Sequence, residues 1–130
     1  MEMGNVTLNV LNEGIAANGR VPIYDIFFDT GKSEVKIESE AALKTIANYL
    51  NTHADLIFLI VGHTDNTGDF DSNLTLSNNR AKAVIQKLIT DYGIDSNQLK
   101  PFGVGSTSPQ MSNETEEGKA RNRRVELVEF

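Results

Sequence analysis

The chain has 130 residues, 39% of them hydrophobic and 23% charged, an ordinary balance for one globular domain that buries a core without metal or disulfide staples. Twelve Lys and Arg against eighteen Asp and Glu leave a net charge of -6, which excludes an overall basic footprint for nucleic acid. The same acidity gives no general attraction to an anionic polymer or lipid, so such a ligand needs a specific site. The absence of cysteine excludes disulfide frameworks and thiolate metal centres.

The opening Met1 to Asn5 is polar and leads into no apolar run of signal-peptide type. The longest apolar run, Leu56 to Val61, is too short to span a bilayer. The chain is therefore read as a piece of a larger protein. Any export signal or membrane contact is expected on an N-terminal part outside this sequence.

Asn5 to Leu11 alternates roughly between apolar and polar residues before Asn12-Glu13-Gly14, and predicts an N-terminal strand closed by a turn. Residues 1–22 are taken as a lead-in and 23–130 as the domain proper. Ile23 to Phe28 is β-branched and aromatic, and predicts a strand ending at Asp29-Thr30-Gly31. Leu43, Ile46, Ala47 and Leu50 then repeat at i, i+3, i+4 and i+7, one face of a helix. Leu56 to Val61 suits a central strand covered on both faces. After a polar Gly- and Asp-rich loop, Ala81, Val84, Ile85 and Leu88 form the stripe of a second helix, from about 72 to 92, with Gly93 as its C-terminal stop. Leu99 to Val104 reads as a third strand, at an edge or carrying a bulge because of Pro101 and Gly103. A long polar connection follows, with one short helix at 114–120, and Arg124 to Phe130 is the last strand. The fold class expected is α+β, a mixed sheet with two main helices packed on it in the order β-α-β-α-β-β.

The chemistry concentrates at Gly62-His63-Thr64-Asp65-Asn66-Thr67-Gly68 and the helix after it. Asp65 lies just past the central strand, and Arg80 follows 15 residues later. Asn73, Ser77, Arg80 and Val84 share one helix face. Helical side chains lean towards the N-terminus, so Arg80 points back at the loop that carries Asp65. Such a pair suits a zwitterion: the guanidinium fork takes a carboxylate and the aspartate takes an ammonium. Spacing alone equally describes a salt bridge that ties loop to helix, the commoner fate of such pairs.

Other chemistries are weaker. Asp65, Thr67, Asp69, Asp71 and Asn73 alternate like a calcium loop, but Phe70 and Leu76 stand where an EF-hand needs Gly and Glu. His63 has no second histidine at ligand spacing, and reads as a hydrogen-bonded structural residue rather than a ligand or base. No nucleophile elbow, Walker loop or zincin motif is present, so no catalytic residue, metal or cofactor is expected. Arg121-Asn122-Arg123-Arg124 is too short for a nucleic-acid patch and balances Glu126 and Glu129.

The run from Gly62 to Gly68, with Asn73, Leu76-Ser77, Arg80-Ala81, Gly118 and Asn122-Arg123-Arg124-Val125-Glu126, resembles the OmpA C-terminal-like domain, a family that includes peptidoglycan-associated lipoproteins and flagellar stator proteins. Phe27 to Ser33 extends the resemblance, which runs from about Ile23 to the C-terminus. It implies non-covalent binding of peptidoglycan, with Asp65 and Arg80 on the amino-acid end of a diaminopimelate side chain. By the same match Asn73 and Thr67 line the site, the Asp29-Thr30-Gly31 loop forms its other wall, and Arg123 stands nearby. The sequence departs from the family at Lys119, where arginine is common. The implied role is an anchor to the cell wall at the periplasmic face of the bacterial outer membrane. The alternatives are the same fold turned to protein–protein contact, and an enzyme acting on the same polymer. Intact Asp65 and Arg80 argue against the first, the missing nucleophile against the second.

Overall fold

The computed structural model describes residues 4–130. Its first element is a helix, α1 (Leu8–Asn18), where a strand was expected. Thr7 opens it, its hydroxyl accepting from the Val10 N–H at 3.1 Å, and Gly19 closes it in the left-handed region. Leu11 and Ile15, four apart, face the core, so the spacing that matters is helical. Gly14 is no turn: a Cβ there would lie 2.3 Å from the Val21 side chain, so its bareness seats α1 on the next strand.

That strand, β1 (Arg20–Ile23), ends where a strand over 23–28 was expected to begin. Residues beyond it turn away to other partners, Phe27 donating its N–H to the Ser39 hydroxyl at 2.7 Å. A 3₁₀ turn (Ile37–Ser39) leads into α2 (Glu40–Thr52), which buries the expected stripe of Leu43, Ile46, Ala47 and Leu50. Next come β2 (Phe58–His63) and the long α3 (Phe70–Tyr92). The latter starts two residues before its expected first turn because Asp69 caps it, accepting from the Ser72 N–H at 2.9 Å. Gly93, at φ 69°, stops it as read. β3 (Leu99–Gly105), α4 (Glu116–Asn122) and β4 (Arg124–Glu129) complete the chain.

The four strands form one mixed sheet in the order β1-β4-β2-β3. β4 inserts between β1 and β2, antiparallel to both, while β2 and β3 run parallel. β3 is therefore an edge, and the register shifts at Gly62/His63 opposite Gly103 and Gly105. The helices bury one continuous core against the face that carries Val21, Ile23, Phe58, Ile60, Leu99, Val125 and Leu127. Leu59 and Val61, which point the other way, are only half-buried. β2 is the central strand expected, between β4 and β3, but the expected cover on both faces is corrected: one face is buried and the other only half-covered. The α+β class and mixed sheet stand, with α1 added to the expected order and the short helix expected at 114–120 found as α4, two residues further on.

Candidate functional site

α3 lies unusually close to the sheet. A Cβ on Gly62 would meet the Ser77 carbonyl oxygen at 2.3 Å, and one on Gly103 the Asn78 nitrogen at 2.0 Å. Two bare strand positions therefore let the helix backbone rest directly on β2 and β3. The Ser77 hydroxyl fixes the contact by accepting from the Gly105 N–H at 2.9 Å. This close seat sets the height of α3, and with it Arg80, relative to the loop that leaves β2.

In that loop Asp65 is buried, at 7% exposure, yet carries two strong partners. Its Oδ1 accepts from the Thr67 N–H at 2.8 Å, and its Oδ2 accepts from Arg123 Nη1 at 2.6 Å. Burial pushes the carboxyl up, but the Thr67 N–H and the Arg123 guanidinium together outweigh it and hold the group below the usual carboxylate range. Asn73, on the first turn of α3, donates its amide to the Thr67 carbonyl at 3.0 Å. Asp65, Thr67, Asn73 and Arg123 are thus one connected unit.

Arg80 belongs to a second unit. Its Nε donates to the Lys32 carbonyl at 2.8 Å and its Nη2 to the Asp29 carbonyl at 3.2 Å, while the guanidinium lies 4.7 Å from the centre of the Phe28 ring. These bonds brace the loop of Asp29, Thr30 and Gly31, whose turn Gly31 makes at φ 72°. The exposed Asp29 carboxylate pairs with Lys36 at 3.1 Å. No ion pair or hydrogen bond joins Asp65 to Arg80, so the salt bridge between loop and helix that spacing alone allowed is not formed. Arg123 links the two units electrostatically: burial first, and then the Arg123 charge, pull the Arg80 guanidinium below its ordinary value.

Sequence reasoning assigned no role to Lys32 or Phe28. The first acts through its carbonyl, which no side-chain pattern reveals, although the Phe27-Phe28 pair was already part of the motif. His63, six per cent exposed, differs from expectation: neither ring nitrogen has a hydrogen-bond partner among the described residues, and the Glu126 carboxylate stands 3.9 Å away. Burial first, then the Arg124 charge, push its imidazole down to about 4. Arg124 and Glu126 form a buried pair at 2.6 Å, as charge balance suggested for Glu126. Asn122, fully buried, pins the long connection by accepting from the Gln110 and Met111 N–H groups at 2.7 and 3.1 Å. These contacts set Arg123 at the junction of α4 and β4, opposite Asp65.

The fold matches two solved domains closely. One is the peptidoglycan-associated lipoprotein from Burkholderia pseudomallei, with a TM-score of 0.72 and 32% identity over 81% of this chain and 88% of that one. The other is the cell wall anchor of the T6SS from Pseudomonas aeruginosa, with a TM-score of 0.75 and 28% identity over 96% of each chain. Among curated proteins, outer membrane porin F of Pseudomonas aeruginosa is 38% identical over 78% of this chain, and the peptidoglycan-binding protein ArfA of Mycobacterium tuberculosis 39% identical over 78%. The chain spans only 29% of the porin and 31% of ArfA. Residues 27–123 match the model of the OmpA family, and the chain belongs to that family.

Proposed function

We propose that this domain is a non-catalytic module that binds peptidoglycan through the diaminopimelate residue of its stem peptide, and so tethers the envelope protein that carries it to the cell wall. The observation that carries the reading is a group of neighbouring charges of both signs, each prepared differently. Asp65 is held ionised but shared with Arg123, and Arg80 has backbone carbonyls and a ring as partners rather than a carboxylate. The free end of a diaminopimelate side chain bears an ammonium for Asp65 and a carboxylate for the unused donors of Arg80. Thr67, Asn73 and the Asp29-Thr30-Gly31 loop line the site around it. Relatives whose names record a peptidoglycan-associated, peptidoglycan-binding or cell wall-anchoring role support the assignment, and with it a periplasmic location. Peptidoglycan is the partner this reading assigns, and the net charge of -6 offers no basic footprint for nucleic acid.

The test is co-sedimentation with purified sacculi, joined to calorimetric titration with meso-diaminopimelate, its amide and lysine. The domain pellets, and Asp65→Ala and Arg80→Ala abolish pelleting while circular dichroism stays native, a loss of about 2–5 kcal/mol per stranded charge. Diaminopimelate binds at least about tenfold more tightly than lysine, which lacks the carboxylate that Arg80 reads. A folded Arg80→Ala protein that pellets normally, or equal binding of lysine, defeats the assignment, and the fold is then serving protein contact.

A further inference from the structure

The proposed ligand leaves one charge of this site unanswered. Arg80, Arg123 and the ammonium of a bound side chain make three cations, whereas Asp65 and one ligand carboxylate make two anions. Asp29 does not close the difference, because its exposed carboxylate is already paired with Lys36 at 3.1 Å. Both guanidiniums also keep donors to spare. Arg80 spends its Nε and one Nη2 N–H on the Lys32 and Asp29 carbonyls, leaving the Nη1 side of its five-donor fork unused among the described residues. Arg123 gives one N–H to Asp65, and its side chain remains 49% exposed, open to a ligand.

The two guanidiniums feel each other, since the Arg123 charge adds to burial in weakening the protonated form of Arg80. An ammonium arriving at Asp65 sharpens that imbalance, because Asp65 must then be shared between it and Arg123. Two neighbouring guanidiniums, one of them half-buried, are relieved by an anion that reaches Arg123.

We propose that Arg123 is a second carboxylate reader, so that the domain selects a diaminopimelate whose two carboxyl groups are both free, as in a stem peptide that ends at that residue. This rests on the peptidoglycan reading above and narrows it. One carboxylate meets the unused Nη1 edge of Arg80, the ammonium meets Asp65, and the second carboxylate meets Arg123. Every charge then has a partner, and Arg123 keeps its bond to Asp65.

Two ligands test this on the wild-type domain alone. The first is meso-diaminopimelate acetylated on the nitrogen of its L centre, with one ammonium and two carboxylates. The second is the same compound with the carboxylate beside that acetylated nitrogen converted to an amide. Calorimetric titration is expected to show the amide binding about tenfold more weakly. In Arg123→Gln, checked for native circular dichroism, the gap should shrink to about twofold, as a neutral amide donates less strongly than guanidinium. Equal affinities in the wild type, or an undiminished gap in Arg123→Gln, overturn the second-carboxylate proposal while leaving the diaminopimelate reading in place. Binding of neither ligand overturns both.

Discussion

At the scale of single residues, the candidate site is built from groups whose neighbours prepare them differently. The positions of Asp65 after β2 and of Arg80 on α3 were legible from sequence. What spacing could not give was the partner of each, because Arg123 lies 58 residues from Asp65 in sequence and reaches it only once β4 has inserted beside β2. The neighbouring His63 shows the same dependence on context. Sequence gave it a hydrogen-bonded role, but the sheet buries it beside Arg124 and Glu126, with Arg20 on β1 adding to the positive field. Its imidazole titrates near 4 in the folded chain against 6.5 in the unfolded one. Between those values the unfolded chain holds the extra proton, so stability is greatest above 6.5 and falls as the pH drops towards 4. The slope from this group is at most about 1.4 kcal/mol per pH unit. Urea titrations at about pH 7 and about pH 4.5 should show the loss, and His63→Gln should flatten it, because the group that separates the two states has gone. Asp65 acts in the same direction but lower, below its ordinary 3.8, and so does not account for a loss in this window. An equally steep profile in His63→Gln would show that another group drives the change.

At the scale of elements, the helices with strong periodic stripes were read correctly, and the errors fell where short segments take their structure from distant partners. Leu43 to Leu50 announces α2 by itself. Residues 5–11 alternate only loosely, and the Thr7 cap with Gly19 decides for helix. The strand at Arg20–Ile23 is fixed by pairing with Val125 to Val128, which local composition does not encode. The glycines carry the counterpart of this lesson. Gly103 weakened the reading of β3 because glycine loosens a strand, whereas its work is to admit α3. Gly103→Ala would place a methyl 2.0 Å from the Asn78 nitrogen and 2.5 Å from its Cα, so helix or strand must move. Overpacking of this kind costs about 1–3 kcal/mol. Since α3 also carries Arg80, ligand affinity should fall together with the melting temperature. Gly4→Ala, with nothing within 4 Å, is the matched control and should leave both unchanged. Wild-type stability and affinity in Gly103→Ala would mean that α3 is not seated by this contact.

At the scale of the whole molecule, the question is where the folding unit begins. Both the sequence reading, with a lead-in over 1–22, and the family match over 27–123 place the recognisable domain after the first two elements. The packing argues for a larger unit. Leu11 and Val21 are at most 2% exposed and belong to the same core as Ile46, Leu50 and Leu127. β1 also covers the outer edge of β4, from Arg20 opposite Val128 to Ile23 opposite Val125. Removing residues 1–22 therefore does two kinds of damage. It loses about 1.5–3 kcal/mol for each large apolar side chain no longer buried, and it opens a row of unpaired strand groups beside Leu127, an invitation to edge-to-edge association. A domain with about 5–15 kcal/mol of total stability does not absorb the first loss unchanged. The prediction is that a chain starting at Ile23 melts well below the full chain by circular dichroism and elutes as higher-order species on size exclusion, although it retains Asp65, Arg80 and Arg123. Disorder of the lead-in would predict the opposite, an unchanged melting temperature and a monomer. That outcome would confine the folding unit to 23–130 and leave α1 and β1 as an accessory layer. The loss expected here makes them part of the frame, because β4, which delivers Arg123 to Asp65, would then have one flank open to water.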